Sequence, residues 1–125
     1  MIEKTQSFAL YYVADPMCSW CWGFTPTIEF LHTDRRIHLH YVMGGLARDS
    51  EEPMPTDMRA YVQGAWREVE SQTGARFNWD FWQHCEPRRS TYPACRAVLA
   101  AAKQSCGSAM FHRIQQAYYL EARNP

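Results

Sequence analysis

Two short apolar runs, Phe8–Val13 and Ile37–Met43, lie either side of a stretch in which Phe24, Ile28 and Leu31 recur at helical spacing. A strand, a helix and a strand so close together form a βαβ unit. Its right-handed crossover makes the two strands parallel. The first run is aromatic with a β-branched end and reads as a buried strand, stopped by Asp15-Pro16. The second alternates and then becomes apolar before Gly44-Gly45 ends it; His38 and His40 share its solvated side. Pro26 falls inside the helical stretch, so the helix is expected to bend or restart there.

Beyond this unit the chain reads as helical. Residues 46–55 carry two prolines and three acids and form a loop. Thr56 or Asp57 caps a helix with Met58, Tyr61, Val62, Ala65, Trp66 and Val69 on one face and Gly74 at its end. A short helix is expected within Phe77–Cys85. Ser90 or Thr91 opens the next, with Pro93 in its first turn, Ala94, Ala97, Val98, Ala101 and Ala102 as its packing face, and Gly107 closing it. Ser108 starts the last, with Phe111, Ile114 and Tyr118 on one side.

The chemistry is concentrated in Cys18-Ser19-Trp20-Cys21, between the first strand and its helix. A C-x-x-C pair serves either as half a zinc site or as a redox dithiol. A zinc site needs two further ligands. No second C-x-x-C and no H-x-x-x-H is present, and the adjacent His84-Cys85 would chelate poorly. The position of the pair favours redox chemistry, because a sulfur where a helix begins faces unpaired backbone N–H groups and the positive end of the dipole. Such placements lower a cysteine pKa from about 8.5 to roughly 3.5–7.5. Cys18 is then the exposed attacking thiol, and Cys21, one turn in, is the more buried resolving thiol. Ser19 and Trp20 tune thiolate stability, and Trp20 offers a flat apolar contact or simply covers the helix end. Asp15 with Pro16 reads first as a turn; Asp15 is also a candidate proton acceptor near Cys21. Trp22 and Phe24 read as core, and Cys85, Cys95 and Cys106 as small core residues or inert thiols.

Lys plus Arg and Asp plus Glu number 13 each, so no basic excess points to a nucleic acid or an anionic membrane. Protein or small-molecule thiols and disulfides are the expected partners. Five cysteines, an odd number, do not read as a secreted disulfide scaffold. The start Met1-Ile2-Glu3-Lys4-Thr5-Gln6 lacks the pattern of a secretory signal, and no apolar run approaches the about 20 residues of a membrane-spanning helix. A cytoplasmic location is expected.

The run Tyr11–Phe24, YYVADPMCSWCWGF, resembles the active-site segment of the DsbA family of thioredoxin-fold thiol–disulfide oxidoreductases, most closely its FrnE-like cytoplasmic branch. Met43-Gly44-Gly45-Leu46 and the stretch around Tyr92-Pro93-Ala94-Cys95-Arg96-Ala97 are similar to the same branch. The resemblance implies an α/β thioredoxin-like βαβ half over residues 1–46, a helical insertion domain over 47–125, and disulfide exchange with no cofactor and no metal. It also implies a C-terminal ββα part with a cis-proline strand, for which no matching segment is found. The expectation is a chain matching only the N-terminal part of the family, either as a truncated product or completing its sheet by pairing with another copy. Related branches with the same fold are glutathione-dependent transferases and isomerases, usually with serine at the first catalytic position. Glutathione chemistry and a non-catalytic binding module are therefore the alternatives.

Overall fold

A computed structural model describes residues 6–124. Strands β1 (Phe8–Ala14) and β2 (Ile37–Met43) pair in parallel, with Phe8 opposite Ile37 and Ala14 opposite Met43. The helical connection is broken as expected: α1 (Ser19–Gly23) stops, and α2 (Thr25–His32) restarts after Phe24. Pro26 thereby falls in the first turn of α2, where a missing N–H costs no helical hydrogen bond.

Tyr12, Ala14, Tyr41 and Met43 look inward. They pack with Val98 of α5 (Tyr92–Ala102) and with Phe111 and Ile114 of α6 (Gly107–Tyr119). Helices α2, α5 and α6 all touch this one face: Tyr12 meets Phe24 and Phe111, and Tyr41 meets His32 and Phe111. The reading of the first strand as buried is therefore corrected. On the opposite face Tyr11 and Val13 are 64% and 66% exposed, because no described element covers it. His38 and His40 lie on that open side, with His40 stacked on Tyr11 at 5.0 Å.

The second core is aromatic. Helix α3 (Thr56–Thr73) presents Trp66 to Phe81 and Trp82 of the short α4 (Phe81–His84) and to Tyr118 and Tyr119 of α6. Six aromatic rings lie 4.9–5.7 Å from the Trp66 ring, among them Phe77 and Trp79. Tyr61 does not share this face and is 75% exposed. Val62, Trp66 and Val69 lie within one narrow stripe of the helix, whereas Tyr61 projects about 100° away from Val62.

Three helix boundaries differ from expectation. Pro55, not Thr56 or Asp57, is the N-cap of α3, and Asp57 sits within the first turn, accepting from the Met58 N–H at 2.9 Å. Gly107 does not close α5 but opens α6, one residue before Ser108. A Cβ on Gly107 would lie 3.0 Å from that of Ala102, so glycine lets the two helices touch; the sharp reversal is made by Ser105, at φ 60°. On α5 the buried residues are Ala94, Cys95, Val98 and Ala101, with Ala102 exposed. Gly74 ends α3 in the left-handed conformation, as read from sequence.

Candidate dithiol site

Asp15, Pro16 and Met17 form the turn between β1 and α1, closed by the Cys18 N–H donating to the Asp15 carbonyl at 3.0 Å. Pro16 is fully buried beneath it. Cys18 is the N-cap of α1, in extended conformation (φ −88°, ψ 120°). Its sulfur lies toward the backbone N–H groups of Cys21 and Trp20 without completing a cap hydrogen bond, and both N–H groups favour a thiolate there. Because α1 has only five residues, this favour comes from local N–H groups rather than from a long helix dipole. Cys21 is one turn in and packs against the cluster of Ala14, Val98 and Phe111. Trp20 is 45% exposed at the rim, and Ser19 is half-buried.

The two thiols are free and both half-buried. A hydrogen bond between them lowers Cys21 to about 6, against 9.0 for an ordinary thiol, and raises Cys18, whose partial burial adds to the rise. The pair therefore gives up one proton readily and keeps the second. The Asp15 backbone N–H also lowers Cys21.

Asp15 is 1% exposed, and its carboxylate does not hydrogen-bond the dithiol. Oδ1 accepts from the Met17 N–H at 2.8 Å. Oδ2 accepts from the Leu46 N–H at 3.0 Å and from the Cys95 thiol at 3.4 Å. Asp15 thus ties the Cys18 turn, the loop after β2 and α5 together. Thr91 completes the tie: its N–H donates to the Ala47 carbonyl at 2.8 Å, and its hydroxyl accepts from the Ala47 N–H at 3.1 Å. Cys95 is pushed up to about 11 by burial first and by the Asp15 charge second, so it is a protonated donor and not a nucleophile.

Other contacts fix α1 itself. The Trp22 indole N–H donates to the Arg76 carbonyl at 2.8 Å, and its ring stacks on Tyr119 at 5.6 Å. Trp22 thus joins the aromatic core, as expected, while Phe24 is 45% exposed. Gly23 lies so close to α3 that a Cβ would stand 2.7 Å from Val69 Cγ1. Tyr12 and Thr91 escaped the sequence reading as site residues. The alternation that puts Tyr12 on the same strand face as Ala14 was the available signal for the first; for Thr91 there was none. Among the described residues no three His, Cys, Asp or Glu side chains converge as a metal-holding group, and no helix is long and apolar enough to cross a membrane.

No family model matches the chain. Among solved structures it is similar to the cytosolic disulfide reductase DsbM of Pseudomonas aeruginosa, with 30% identity and TM-score 0.80 over 94% of this chain and 57% of that one. The same protein with GSH gives 28% identity and TM-score 0.80, over 94% and 58%. A candidate protein disulfide isomerase from Nitrosomonas europaea gives 29% and 0.75, over 93% and 57%. Among curated proteins it is 22% identical to the ClpXP adapter protein SpxH of Halalkalibacterium halodurans, over 98% of this chain and 42% of that protein. The chain thus spans less than three-fifths of these relatives. Over that span it has the mixed α/β, thioredoxin-like fold of the DsbA-like cytosolic disulfide reductases, and it carries its C-x-x-C pair between the first strand and the helix that follows.

Proposed function

We propose that the chain carries the dithiol of a thiol–disulfide oxidoreductase of the DsbA-like class, with Cys18 as attacking and Cys21 as resolving thiol. The observation that carries this reading is the pair of free thiols at the start of α1, with Cys18 as the N-cap and Cys21 one turn in. The likeness to a disulfide reductase at 30% identity supports it.

Transfer of the retained proton from Cys18 to Cys21 across their hydrogen bond exposes a Cys18 thiolate. That thiolate attacks a substrate disulfide, forming a mixed disulfide and releasing one substrate thiolate, which takes a proton from solvent. Cys21 then loses its proton and attacks the Cys18 sulfur. The Cys18–Cys21 disulfide forms and the second substrate thiol leaves. The substrate gains two electrons and the pair loses two; the reverse sequence oxidises a substrate dithiol. Cys21 is assigned the resolving role because it packs on the buried cluster, while Cys18 sits in the turn before the helix. Ser19 and Trp20 line the approach, with the exposed Trp20 as a flat contact, and Asp15 with Pro16 fixes the turn from beneath.

Protein disulfides and small thiols are the proposed substrates. A cavity of about 360 Å³ beside Met17, lined by Arg88, Arg96, Asp49, Glu51 and Ser90, has the mixed charges that a small peptide thiol such as glutathione carries. We read residues 1–46 as a thioredoxin-like half, residues 47–125 as a helical insertion, and a cytoplasmic location as part of the same proposal. Pairing of two copies through the open sheet edge belongs to it too, and sedimentation of the reduced chain tests that point.

The test of function is reduction of a protein disulfide by the purified chain with glutathione as electron source. Turnover is expected, and Cys18→Ser is expected to abolish it. Undiminished turnover in the Cys18→Ser/Cys21→Ser double variant would refute the reading. A second reading, a binding module without redox chemistry, is favoured by the likeness to an adapter protein; no turnover by the unsubstituted chain, with capture of a protein partner retained in the double variant, would select it.

A further inference from the structure

We infer that the free edge of β2 docks an extended segment of a protein substrate, which adds as a strand and runs along α5 toward the dithiol turn. Such docking deepens the oxidoreductase reading. It rests on that reading for its consequence in exchange, but not for the docking itself.

The strand register decides which backbone groups are free. The Phe8 N–H donates to the Arg36 carbonyl at 2.6 Å, and the Gly44 N–H donates to the Ala14 carbonyl at 2.7 Å. In a parallel ladder only alternate residues of a strand bond to a given neighbour. His38, His40 and Val42 therefore face β1, and the N–H and C=O groups of Leu39, Tyr41 and Met43 point to the open side. Among the described residues no other element pairs with them there. Exposed edges are commonly guarded by proline or lysine, and β2 contains neither.

Beside this edge the structure leaves room for side chains. Two cavities of about 260 Å³ each run end to end between β2 and α5, sharing Met43 and Leu99. Leu99 is 53% exposed along their wall, and Tyr92 stands at the far end beside Gly45. A strand laid on β2 would turn every second side chain into this groove. Backbone pairing then supplies affinity, and the apolar groove selects a segment that is apolar at alternate positions. No acidic residue lines either cavity, whereas Arg96, His32 and His40 do, so a neutral or acidic segment is favoured over a basic one.

The groove also leads to the chemistry. Its Gly45 end precedes Leu46, whose N–H donates to Asp15 beneath the Cys18 turn. A second copy of the chain does not fit. Its own Tyr41 and Met43 are already packed on its own Val98 and Phe111, so its β2 has no side chains to set into the groove. Pairing between copies is left to the β1 edge, where Phe8 and Leu10 are exposed.

The probe is a synthetic peptide of alternating valine and threonine with a glutamate at each end, added to the reduced full chain. Amide hydrogen exchange is followed by NMR. The Leu39, Tyr41 and Met43 amides are expected to slow about ten-fold, the worth of one backbone hydrogen bond, while those of His38, His40 and Val42 keep their rates. No slowing, or slowing without this alternation, overturns the docking. Slowing that grows with chain concentration in the absence of peptide overturns it in favour of a second copy. Leu99→Glu sets a charge in the groove wall on an exposed helical position. It is expected to remove the peptide effect and to lower kcat/KM for a protein disulfide about ten-fold relative to that for glutathione disulfide. Equal effects on the two substrates overturn the proposal. An unsubstituted chain inactive on both disulfides, whose Leu39, Tyr41 and Met43 amides still slow with peptide, sinks the oxidoreductase reading and leaves the docking edge in place.

Discussion

Asparagine at position 15 keeps the shape of the aspartate and removes its charge and one acceptor. Three donors converge on the carboxylate: the Met17 N–H on Oδ1, and the Leu46 N–H with the Cys95 thiol on Oδ2. An amide has one carbonyl oxygen to offer. Turned toward Leu46 and Cys95, it leaves the Met17 N–H facing an NH₂ group, a donor against a donor. An unsatisfied buried N–H costs about 1–3 kcal/mol. The two surviving bonds lose their charge assistance, which halves them and removes roughly another 1 kcal/mol. Relief from burying a carboxylate offsets part of this, so Asp15→Asn is expected to destabilise the reduced chain by about 2–4 kcal/mol. Urea denaturation at pH 7, followed by circular dichroism, measures the total. Hydrogen exchange at Met17 and Leu46 locates it, because those amides should exchange faster while the α3 amides change only with global stability. A loss below about 0.5 kcal/mol, with both amides still protected, would refute the view that Asp15 clamps the dithiol turn to the rest of the fold.

Other perturbations test other parts of the structure. Trp66→Ala empties the centre of the aromatic core and should cost about 3–5 kcal/mol in denaturant titrations; a smaller loss would mean that the helices do not share this core. Gly23→Ala forces a methyl to within 2.7 Å of Val69 Cγ1 and should cost about 1–3 kcal/mol, partly restored in thermal melts when Val69→Ala makes room; additive losses would contradict the close approach. Stability of the reduced chain should depend on pH through the dithiol. Cys21 is lowered to about 6 from 9.0, so its contribution is present above pH 9 and is lost as pH falls through about 6. Cys18 is raised, so its contribution is present below pH 9 and is lost at higher pH. The melting temperature of the reduced chain should therefore climb between pH 6 and 9 and fall beyond, relative to the Cys18–Cys21 disulfide form; parallel curves for the two forms would deny the coupling.

The backbone plan was legible because it rests on local signals. Strand alternation and the Gly44-Gly45 stop gave β2 to the residue, and Pro26 announced the break between α1 and α2. The dithiol was visible for the same reason: strand, turn and C-x-x-C are contiguous. What depended on partners distant in sequence was not legible. β1 reads as buried by composition, but burial of its second face needs a layer that the described residues do not supply. Gly107 looked like a helix end, though its purpose is contact with Ala102. Asp15 drew attention as a proton acceptor, whereas Leu46 and Cys95, which hold it, lie 31 and 80 residues away.

The central claim is that Cys18 and Cys21 behave as a single acid with one labile proton. Site-resolved alkylation of the reduced chain across pH 4–10 measures this directly, a window set by ordinary and lowered thiol pKa values of roughly 3.5–8.5. Reactivity of the pair is expected to rise with a midpoint near 6, with Cys95 unreactive until about 11. Two independent midpoints at the ordinary thiol value would contradict the account.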